Sequence, residues 1–168
     1  MSFDTFNFHP QIKAGIVSAG YLIPTPIQAR AIPSALAGRD LFGLAETGTG
    51  KTAAFVLPIL QKMMNGPRGK LRTLILSPTR ELAEQTHQSI KSLARNTTLR
   101  STTIYGGVST APQVKALRAG VDIVVACPGR LLDLVGDGDI DLSKVEILVL
   151  DEADRMFDMG FLPDIRRI

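Results

Sequence analysis

Residues 41–57 read LFGLAETGTGKTAAFVL, and this stretch decides the fold. It opens with a short apolar run, residues 41–45, of the kind that forms a strand buried on both faces of a parallel sheet. A glycine-rich segment follows, and an apolar run of helical character begins near Lys51. In a strand–loop–helix unit of this kind, successive backbone N–H groups and the helix N-terminus face an anion. We therefore predict a phosphate-binding loop at residues 45–52.

Individual residues of this loop have separate roles in nucleotide binding. The Lys51 ammonium would reach the β- and γ-phosphates, and the Thr52 hydroxyl would ligate Mg²⁺. The backbone that surrounds the phosphates comes from Thr47, Gly48, Thr49 and Gly50. The general pattern begins with glycine, whereas this loop begins with Ala45, so an ordinary glycine-rich turn is the alternative interpretation.

A second apolar run, residues 146–150, ends in the acidic sequence Asp-Glu-Ala-Asp at 151–154. Carboxylates at the end of a strand suit a Mg²⁺–nucleotide site, in which Asp151 would hold the metal through water and Glu152 would polarise the attacking water. Taken alone, these carboxylates could also be a helix start favoured by the helix dipole. Because a phosphate loop precedes them in the chain, we favour the nucleotide site.

Strand and helix patterns alternate along the whole chain. We predict five strands, at residues 41–45, 73–77, 100–105, 122–126 and 146–150. Helices are predicted between them, near residues 9–20, 51–64, 80–94, 111–119 and 129–135. This alternation predicts an α/β fold with an open, mostly parallel sheet and helices on both faces. Ligands of such sheets bind beyond the carboxyl ends of the strands.

Composition restricts the class of protein. The chain has 168 residues, 45% apolar and 21% charged, which is typical of one globular domain and excludes a disordered or collagen-like chain. No apolar run approaches the roughly 20 residues that cross a membrane. The N-terminus lacks a signal-peptide pattern, and the single cysteine, Cys127, fits a reducing compartment. We predict a cytoplasmic location.

Charge differs between regions of the chain. Residues 1–130 contain 15 basic and 6 acidic residues, whereas residues 131–168 contain 4 basic and 10 acidic ones. Residues 62–100 alone contain eight basic and two acidic residues. This asymmetry is compatible with a surface for a polyanion, although solvated helix faces explain charge counts equally well.

Further motifs show a family resemblance. Residues 20–28, GYLIPTPIQ, resemble the Q motif of DEAD-box ATP-dependent RNA helicases, with Phe3 at the place of the isolated upstream aromatic. The family's phosphate loop also begins with alanine. PTREL at 78–82 resembles motif Ia, the glycine pair at 106–107 the glycine doublet, and CPGR at 127–130 motif Ib. The chain thus resembles, over essentially its whole length, the first RecA-like P-loop NTPase domain of this family, with the bacterial RhlE-type group as the nearest branch.

The resemblance implies that Gln28 recognises adenine. Its amide would bond N6 and N7 of the base, a kind of paired contact worth roughly 1–3 kcal/mol of discrimination. Phe3 would pack on the adenine face. The residues alone favour other roles: Thr25 and Gln28 have capping-box spacing at a helix start, and a lone phenylalanine is more often an anchor for its segment.

The resemblance also implies RNA binding at three segments that each follow a strand. Backbone N–H groups at helix starts, with nearby guanidinium groups, can hold successive phosphates of a single strand without reading bases. The alternative is that the two arginines pair only with Glu81, Asp133 or Asp154 and hold the loops. The implied RNA-binding residues are Pro78, Thr79, Arg80, Gly106, Gly107, Pro128, Gly129 and Arg130.

Two positions depart from the family pattern. Cys127 stands where the family usually has Thr, whose side chain would cap the helix that follows. Loss of such a cap costs about 1 kcal/mol of stability. Glu46 replaces the commoner Gln in the phosphate loop, and we expect that change to be tolerated.

The resemblance finally implies parts that these 168 residues lack. A strand carrying a Ser-Ala-Thr motif would follow Ile168 and lie between the phosphate-loop strand and the Asp151 strand. A second RecA-like domain would supply arginine fingers. Without that strand we expect a gap in the sheet, and with it marginal stability, a gap filled from another chain, or further residues in a longer protein. Without the second domain we expect weak hydrolysis and no strand separation.

Three functions remain to be distinguished. The first is the ATP-binding half of an RNA-dependent ATPase, with ATP and Mg²⁺ as cofactors, RNA as partner and no membrane association. The second is another P-loop NTPase, acting on DNA. The third is a catalytically silent RNA-binding module.

Overall fold

Four short strands form one parallel sheet in the computed structural model, which describes residues 2–168. They are β1 (Thr73–Leu76), β2 (Ser101–Ile104), β3 (Ile123–Ala126) and β4 (Ile147–Leu150), in the spatial order β2-β3-β1-β4. The register is aligned, since Thr73 of β1 lies opposite Ile123 on one side and Ile147 on the other. The carboxyl ends of the strands therefore meet at one edge of the sheet. Four of the five predicted strands are confirmed.

Eight α-helices lie within the described residues, and a 3₁₀ turn at Phe3–Phe6 precedes them. They are α1 (Pro10–Ser18), α2 (Pro26–Leu36), α3 (Lys51–Met63), α4 (Arg80–Leu93), α5 (Ala111–Arg118), α6 (Pro128–Gly136), α7 (Ala153–Asp158) and α8 (Leu162–Arg167). The five predicted helices are all present. Of the other three helices, α2 is anticipated only by the capping-box spacing of Thr25 and Gln28 at its start. The sequence pattern does not predict α7 and α8, because six residues are too few to show a helical period.

The predicted strand at residues 41–45 is wrong. Residues 39–46 have no regular secondary structure. The side chains of Leu41, Phe42 and Leu44 are 51%, 87% and 81% exposed. A strand needs a neighbour to bond its N–H and C=O groups, and within residues 2–168 this segment belongs to no sheet. Among residues 2–168, β4 pairs only with β1 and stands at the end of the strand order.

The chain packs as two compact units. The first comprises the residues up to Gly66 together with Ser89–Leu99, and the second comprises Pro67–Gln88 and Arg100–Ile168. Helices α2 and α3 pack against each other in the first unit. In the same unit α1 approaches the end of α4 so closely that a Cβ at Gly15 would lie 2.0 Å from the Leu93 carbonyl oxygen. Only glycine permits this approach.

The second unit has its own core beneath the sheet. Buried apolar residues of β1 and β3 pack with Leu131 and Leu134 of α6 and with Met156 of α7. At the amino ends of the strands, the carboxylate of Asp122, 1% exposed, accepts the Gly69 and Arg100 N–H groups at 2.8 Å each. These bonds satisfy a buried charge and fix the loops that enter β1 and β2. No helix among residues 2–168 combines the length and apolar character needed to cross a membrane.

Candidate nucleotide site and nucleic-acid interface

The phosphate loop is curled by its glycines and closed by its lysine. Gly48 and Gly50 have φ of +84° and +93°, a region that L side chains rarely adopt. Helix α3 begins at Lys51, whose Nζ donates to the carbonyl oxygen of Ala45. The Thr49 hydroxyl donates to the Glu46 carbonyl at 2.7 Å. The last part of the loop is thus bonded back onto its first residues, with a cation and a helix N-terminus at one place.

Gln28 of α2 is bonded to the same loop. The residue is 1% exposed; Nε2 donates to the Gly50 carbonyl at 3.1 Å, and Oε1 accepts the Thr25 N–H at 3.0 Å. A Cβ at Gly50 would lie 2.5 Å from that Nε2, so this position requires glycine for space as well as for φ. The bond to Thr25 is the Gln28 half of the predicted capping box, which is present at the start of α2. Sequence reasoning missed the bond to Gly50, because it joins segments 22 residues apart.

Phe3 lies in an aromatic cluster. Its ring is 6% exposed and packs edge-on against Phe6 and Tyr21, with ring centroids 6.0 and 6.1 Å apart. This is the anchoring role that the sequence alone favours. Packing of Phe3 on adenine stays a prediction.

The acidic motif begins where β4 ends. The Asp151 N–H donates to the Leu76 carbonyl at 2.9 Å, and its Oδ2 accepts the Thr86 hydroxyl at 3.3 Å. Glu152 has φ of +52°, a strained conformation for a glutamate, and pairs with Arg155 at 3.4 Å. Sequence reasoning missed Thr86, which is 3% exposed. The sequence does contain a sign of this role, because Thr86 is a polar residue three positions after Ala83 and so lies on the buried face of α4.

The three segments implied in RNA binding lie at one edge of the sheet in the second unit, because each follows the carboxyl end of β1, β2 or β3. Within them Arg80, Gly106, Gly107 and Gly129 are exposed, Thr79 and Arg130 are partly buried, and Pro78 and Pro128 are buried. The Thr79 hydroxyl accepts the Leu82 N–H at 3.3 Å and so caps the start of α4. The prolines thus fix the backbone and leave neighbouring groups accessible.

The two arginines of this edge are held differently. Arg130 donates to the Val108 carbonyl at 3.2 Å and lies 3.5 Å from Asp133, so it ties the glycine-doublet loop to α6. These contacts agree with the alternative prediction that Arg130 pairs with a nearby carboxylate and holds its loop. The Arg80 guanidinium instead lies over the Tyr105 ring, 4.9 Å from its centroid. Among residues 2–168 it forms no salt bridge with Glu81 or Asp154.

Cys127 precedes α6 at its N-cap position, where its side chain makes no capping bond. Burial, and then the charge of Glu81, raises the pKa of the thiol to about 11. A thiol of that pKa carries almost no thiolate at neutral pH, and thiolate is the nucleophilic form. The residue is therefore not an activated nucleophile.

A parallel sheet joined in one chain to a lysine-closed phosphate loop defines the class of RecA-like P-loop NTPase domains. Solved structures agree. The chain superimposes on a DEAD box protein from Methanococcus jannaschii with a TM-score of 0.92 and 39% identity, covering 99% of this chain and 46% of that one. The chain also superimposes on a hypothetical ATP-dependent RNA helicase from Sulfolobus tokodaii, with a TM-score of 0.87 and 41% identity. This match covers 95% of this chain and 46% of that one. Residues 25–168 match the DEAD/DEAH box helicase family, and the chain belongs to that family.

Relatives of known sequence support the same placement. The chain is 49% identical to DEAD-box ATP-dependent RNA helicase 30 of Arabidopsis thaliana, over 99% of this chain and 29% of that protein. It is 46% identical to ATP-dependent RNA helicase dbp3 of Schizosaccharomyces pombe, over 100% of this chain and 29% of that protein. The chain thus spans about a third or less of the length of these relatives. Because the similar proteins are plant, fungal and archaeal, placement in the bacterial RhlE-type group is not supported.

Proposed function

We propose that this chain is the ATP-binding domain of an RNA-dependent ATPase, which in the complete protein uses ATP binding and hydrolysis to remodel or unwind RNA duplexes. The observation that carries the proposal is the phosphate loop, closed by Lys51 and bonded through Gly50 to the buried amide of Gln28. We also propose a cytoplasmic location, supported by the single, unpaired Cys127.

Lys51 and Gln28 each have capacity left for ATP. The Lys51 ammonium has three N–H donors, so it can exchange the Ala45 carbonyl for phosphate oxygens. The Gln28 amide uses one N–H on Gly50 and one oxygen lone pair on Thr25. One N–H and one lone pair remain, which is the combination that pairs with N7 and N6 of adenine. Capping and base recognition are therefore compatible.

Mg²⁺ fits the residue types that are present. The Thr52 hydroxyl and the Asp151 carboxylate, the two predicted metal ligands, each offer the kind of oxygen ligand that this ion prefers. Within residues 2–168 no three His, Cys, Asp or Glu side chains group as a metal site. When bound, the ion supplies neutralisation of phosphate charge. Glu152 would orient and polarise the attacking water.

RNA phosphates are the proposed ligands of the sheet edge formed by the three segments. The contacts involve backbone N–H groups at the starts of α4 and α6, the glycine doublet and the two arginines. Since none of these groups reads a base, binding is expected to tolerate sequence and to weaken steeply with salt.

Hydrolysis by the 168 residues alone is expected to be weak. A second RecA-like domain would supply arginine fingers, a contribution of roughly 10³–10⁵ in rate. RNA-stimulated turnover by this chain in a preparation free of other helicases would contradict this part of the proposal.

Nucleotide calorimetry tests the proposal. We expect ATP and ADP to bind. Lys51→Ala should weaken ATP binding at least about tenfold, because a charged hydrogen bond is lost. Lys62→Ala is the matched control, because Lys62 is an exposed lysine further along the same helix. No nucleotide binding, together with RNA binding that Lys51→Ala leaves unchanged, would favour the silent RNA-binding module instead.

Base selectivity tests Gln28 separately. ATP should compete better than GTP for the native chain, and Gln28→Ala should remove most of a preference worth roughly 1–3 kcal/mol. Equal binding of both nucleotides by the native chain would contradict the role of Gln28. The DNA-directed alternative predicts that a DNA strand binds as tightly as the RNA strand of the same sequence.

A further inference from the structure

A polar ladder joins α4 to β2 in the second unit. Arg80, Glu84 and His87 follow one another at i, i+4 and i+7 along α4, while Ser101, Thr103 and Tyr105 alternate along β2 and the residue just after it. Spacings of four and three place helix residues on one face, and a spacing of two does the same in a strand. We define the polar ladder as these six residues.

The contacts of the ladder follow this geometry. His87 Nε2 lies 3.1 Å from the Ser101 hydroxyl at one end. In the middle, Glu84 Oε1 accepts the Thr103 hydroxyl at 3.0 Å and the Tyr105 hydroxyl at 2.7 Å. At the far end the Arg80 guanidinium covers the Tyr105 ring. The ladder therefore ends on an arginine of the proposed RNA edge.

The middle contact is a strong, charge-assisted hydrogen bond. The bond from Tyr105 is the largest cause that lowers the pKa of Glu84, and the bond to Glu84 is the largest cause that raises the pKa of Tyr105. At neutral pH the carboxylate is therefore charged and the phenol keeps its proton. Bonds of this type are shorter and about twice as strong as neutral ones. Glu84 thus fixes the orientation of the Tyr105 ring.

The oriented ring in turn restricts Arg80. An exposed arginine has large rotamer freedom, which it loses when it binds a phosphate. A guanidinium held over an aromatic ring, as Arg80 is over Tyr105, has already lost part of that freedom. Its N–H groups can still form bidentate bonds to a phosphate. We propose that Glu84 and Tyr105 are positioning residues for phosphate binding by Arg80, acting in the order carboxylate, phenol, guanidinium. This inference rests on the proposed function, which places Arg80 on RNA.

A double-mutant cycle tests the order of action. The probe is a 5′-fluorescein-labelled single-stranded RNA of twelve uridines, titrated with the chain at low salt and followed by anisotropy. We expect Arg80→Ala to weaken binding by about tenfold. Tyr105→Leu should weaken it about two- to fivefold, the range of an exposed cation–π contact. Added to Arg80→Ala, Tyr105→Leu should cost nothing further, because it acts through the absent guanidinium.

Conservative variants separate positioning from folding. Tyr105→Phe keeps the ring and loses the bond to Glu84, so its effect should be smaller than that of Tyr105→Leu. Ser101→Ala removes the contact at the opposite end of the ladder and should leave RNA affinity unchanged. If Ser101→Ala weakens RNA binding as much as Tyr105→Phe does, the ladder only supports the fold and the proposal is overturned.

NMR gives a measurement that does not depend on RNA. The Arg80 Nε–Hε signal, assigned with Arg80→Lys, should carry a ring-current shift that Tyr105→Leu abolishes and Glu84→Gln reduces. An Arg80→Ala variant with unchanged RNA affinity would refute the RNA role of Arg80 within the proposed function. A missing ring-current shift, or a full effect of Tyr105→Leu in the Arg80→Ala background, would overturn the positioning role itself.

Discussion

Two apolar segments that each precede a predicted nucleotide motif have different structures. Residues 41–45 lead into the phosphate loop and are irregular, with Phe42 and Leu44 more than 80% exposed. Residues Ile147–Leu150 lead into the acidic motif and form β4, next to β1. Both segments read as strands in the sequence. The difference is a partner: β4 bonds to the backbone of β1, and no strand within residues 2–168 pairs with 41–45. Apolar character permits a strand, but only pairing produces one.

The two motifs that follow these segments are held by different kinds of hydrogen bond. The phosphate loop relies on local bonds, from Lys51 to Ala45 and from Gln28 to Gly50. The acidic motif is held by the sheet, through the bond from the Asp151 N–H to the Leu76 carbonyl. Perturbing the sheet should therefore disturb the fold of the second unit, whereas perturbing residues 41–45 should not.

A leucine of the sheet and a leucine of residues 41–45 give the largest expected effect. Leu76 ends β1 and is fully buried, whereas Leu44 precedes the phosphate loop and is 81% exposed. Leu76→Ala should lower the free energy of unfolding by about 2–5 kcal/mol, through lost burial and a new cavity. Leu44→Ala should change it by less than about 0.5 kcal/mol. Urea denaturation measures both, and a loss above 2 kcal/mol for Leu44→Ala would show that residues 41–45 are buried in solution.

Hydrogen exchange should separate the same two segments. The N–H groups of Ile147 and Asp151 donate to the carbonyls of Arg72 and Leu76, at 3.1 and 2.9 Å. We expect them to exchange at least about a hundredfold more slowly than the amides of residues 41–45, since protected amides exchange only on opening of the sheet. Mass spectrometry of peptides from the two segments measures the difference. Equal protection would mean that residues 41–45 find a strand partner in solution.

Backbone strain offers a sharper contrast between the two motifs. The phosphate loop has glycine at its positive-φ positions, whereas the acidic motif has Glu152 at φ of +52°. Glu152→Gly should raise the free energy of unfolding by about 1 kcal/mol, because the left-handed region disfavours residues with a Cβ. Asn7→Gly, at the same φ, should raise the free energy of unfolding by less, since asparagine tolerates this region. Thermal melts that rank the two variants the other way would contradict strain at Glu152.

A helix cap gives the smallest expected effect. Cys127 makes no side-chain bond at the start of α6, although its backbone is extended as an N-cap requires. Cys127→Thr should stabilise the chain by about 0.5–1 kcal/mol by accepting a free N–H of the first turn. Cys127→Val is the matched control, with the shape of threonine and no oxygen. Equal stability of the threonine and valine variants would mean that the first turn of α6 is already satisfied.

Much of the fold followed from local pattern. The four strands that pair are continuous apolar or β-branched runs, and the longer helices show clear starts and periods. The sequence also located the phosphate loop, the acidic motif and the three segments at the sheet edge, because each follows a predicted strand. Short helices such as α7 left no readable pattern, and the strand predicted at 41–45 is wrong because sequence alone does not show whether a neighbour is present.

Side-chain partners are a different matter. The sequence by itself determined which residue types follow each strand, and hence the family and the chemistry available to it. Only the tertiary structure decided that Gln28 bonds to Gly50, that Thr86 bonds to Asp151, and that Tyr105 lies between Glu84 and Arg80. The physical reason is that strand and helix patterns arise from neighbours along the chain. Hydrogen bonds and ring contacts between distant segments exist only after the sheet has set which loops lie side by side.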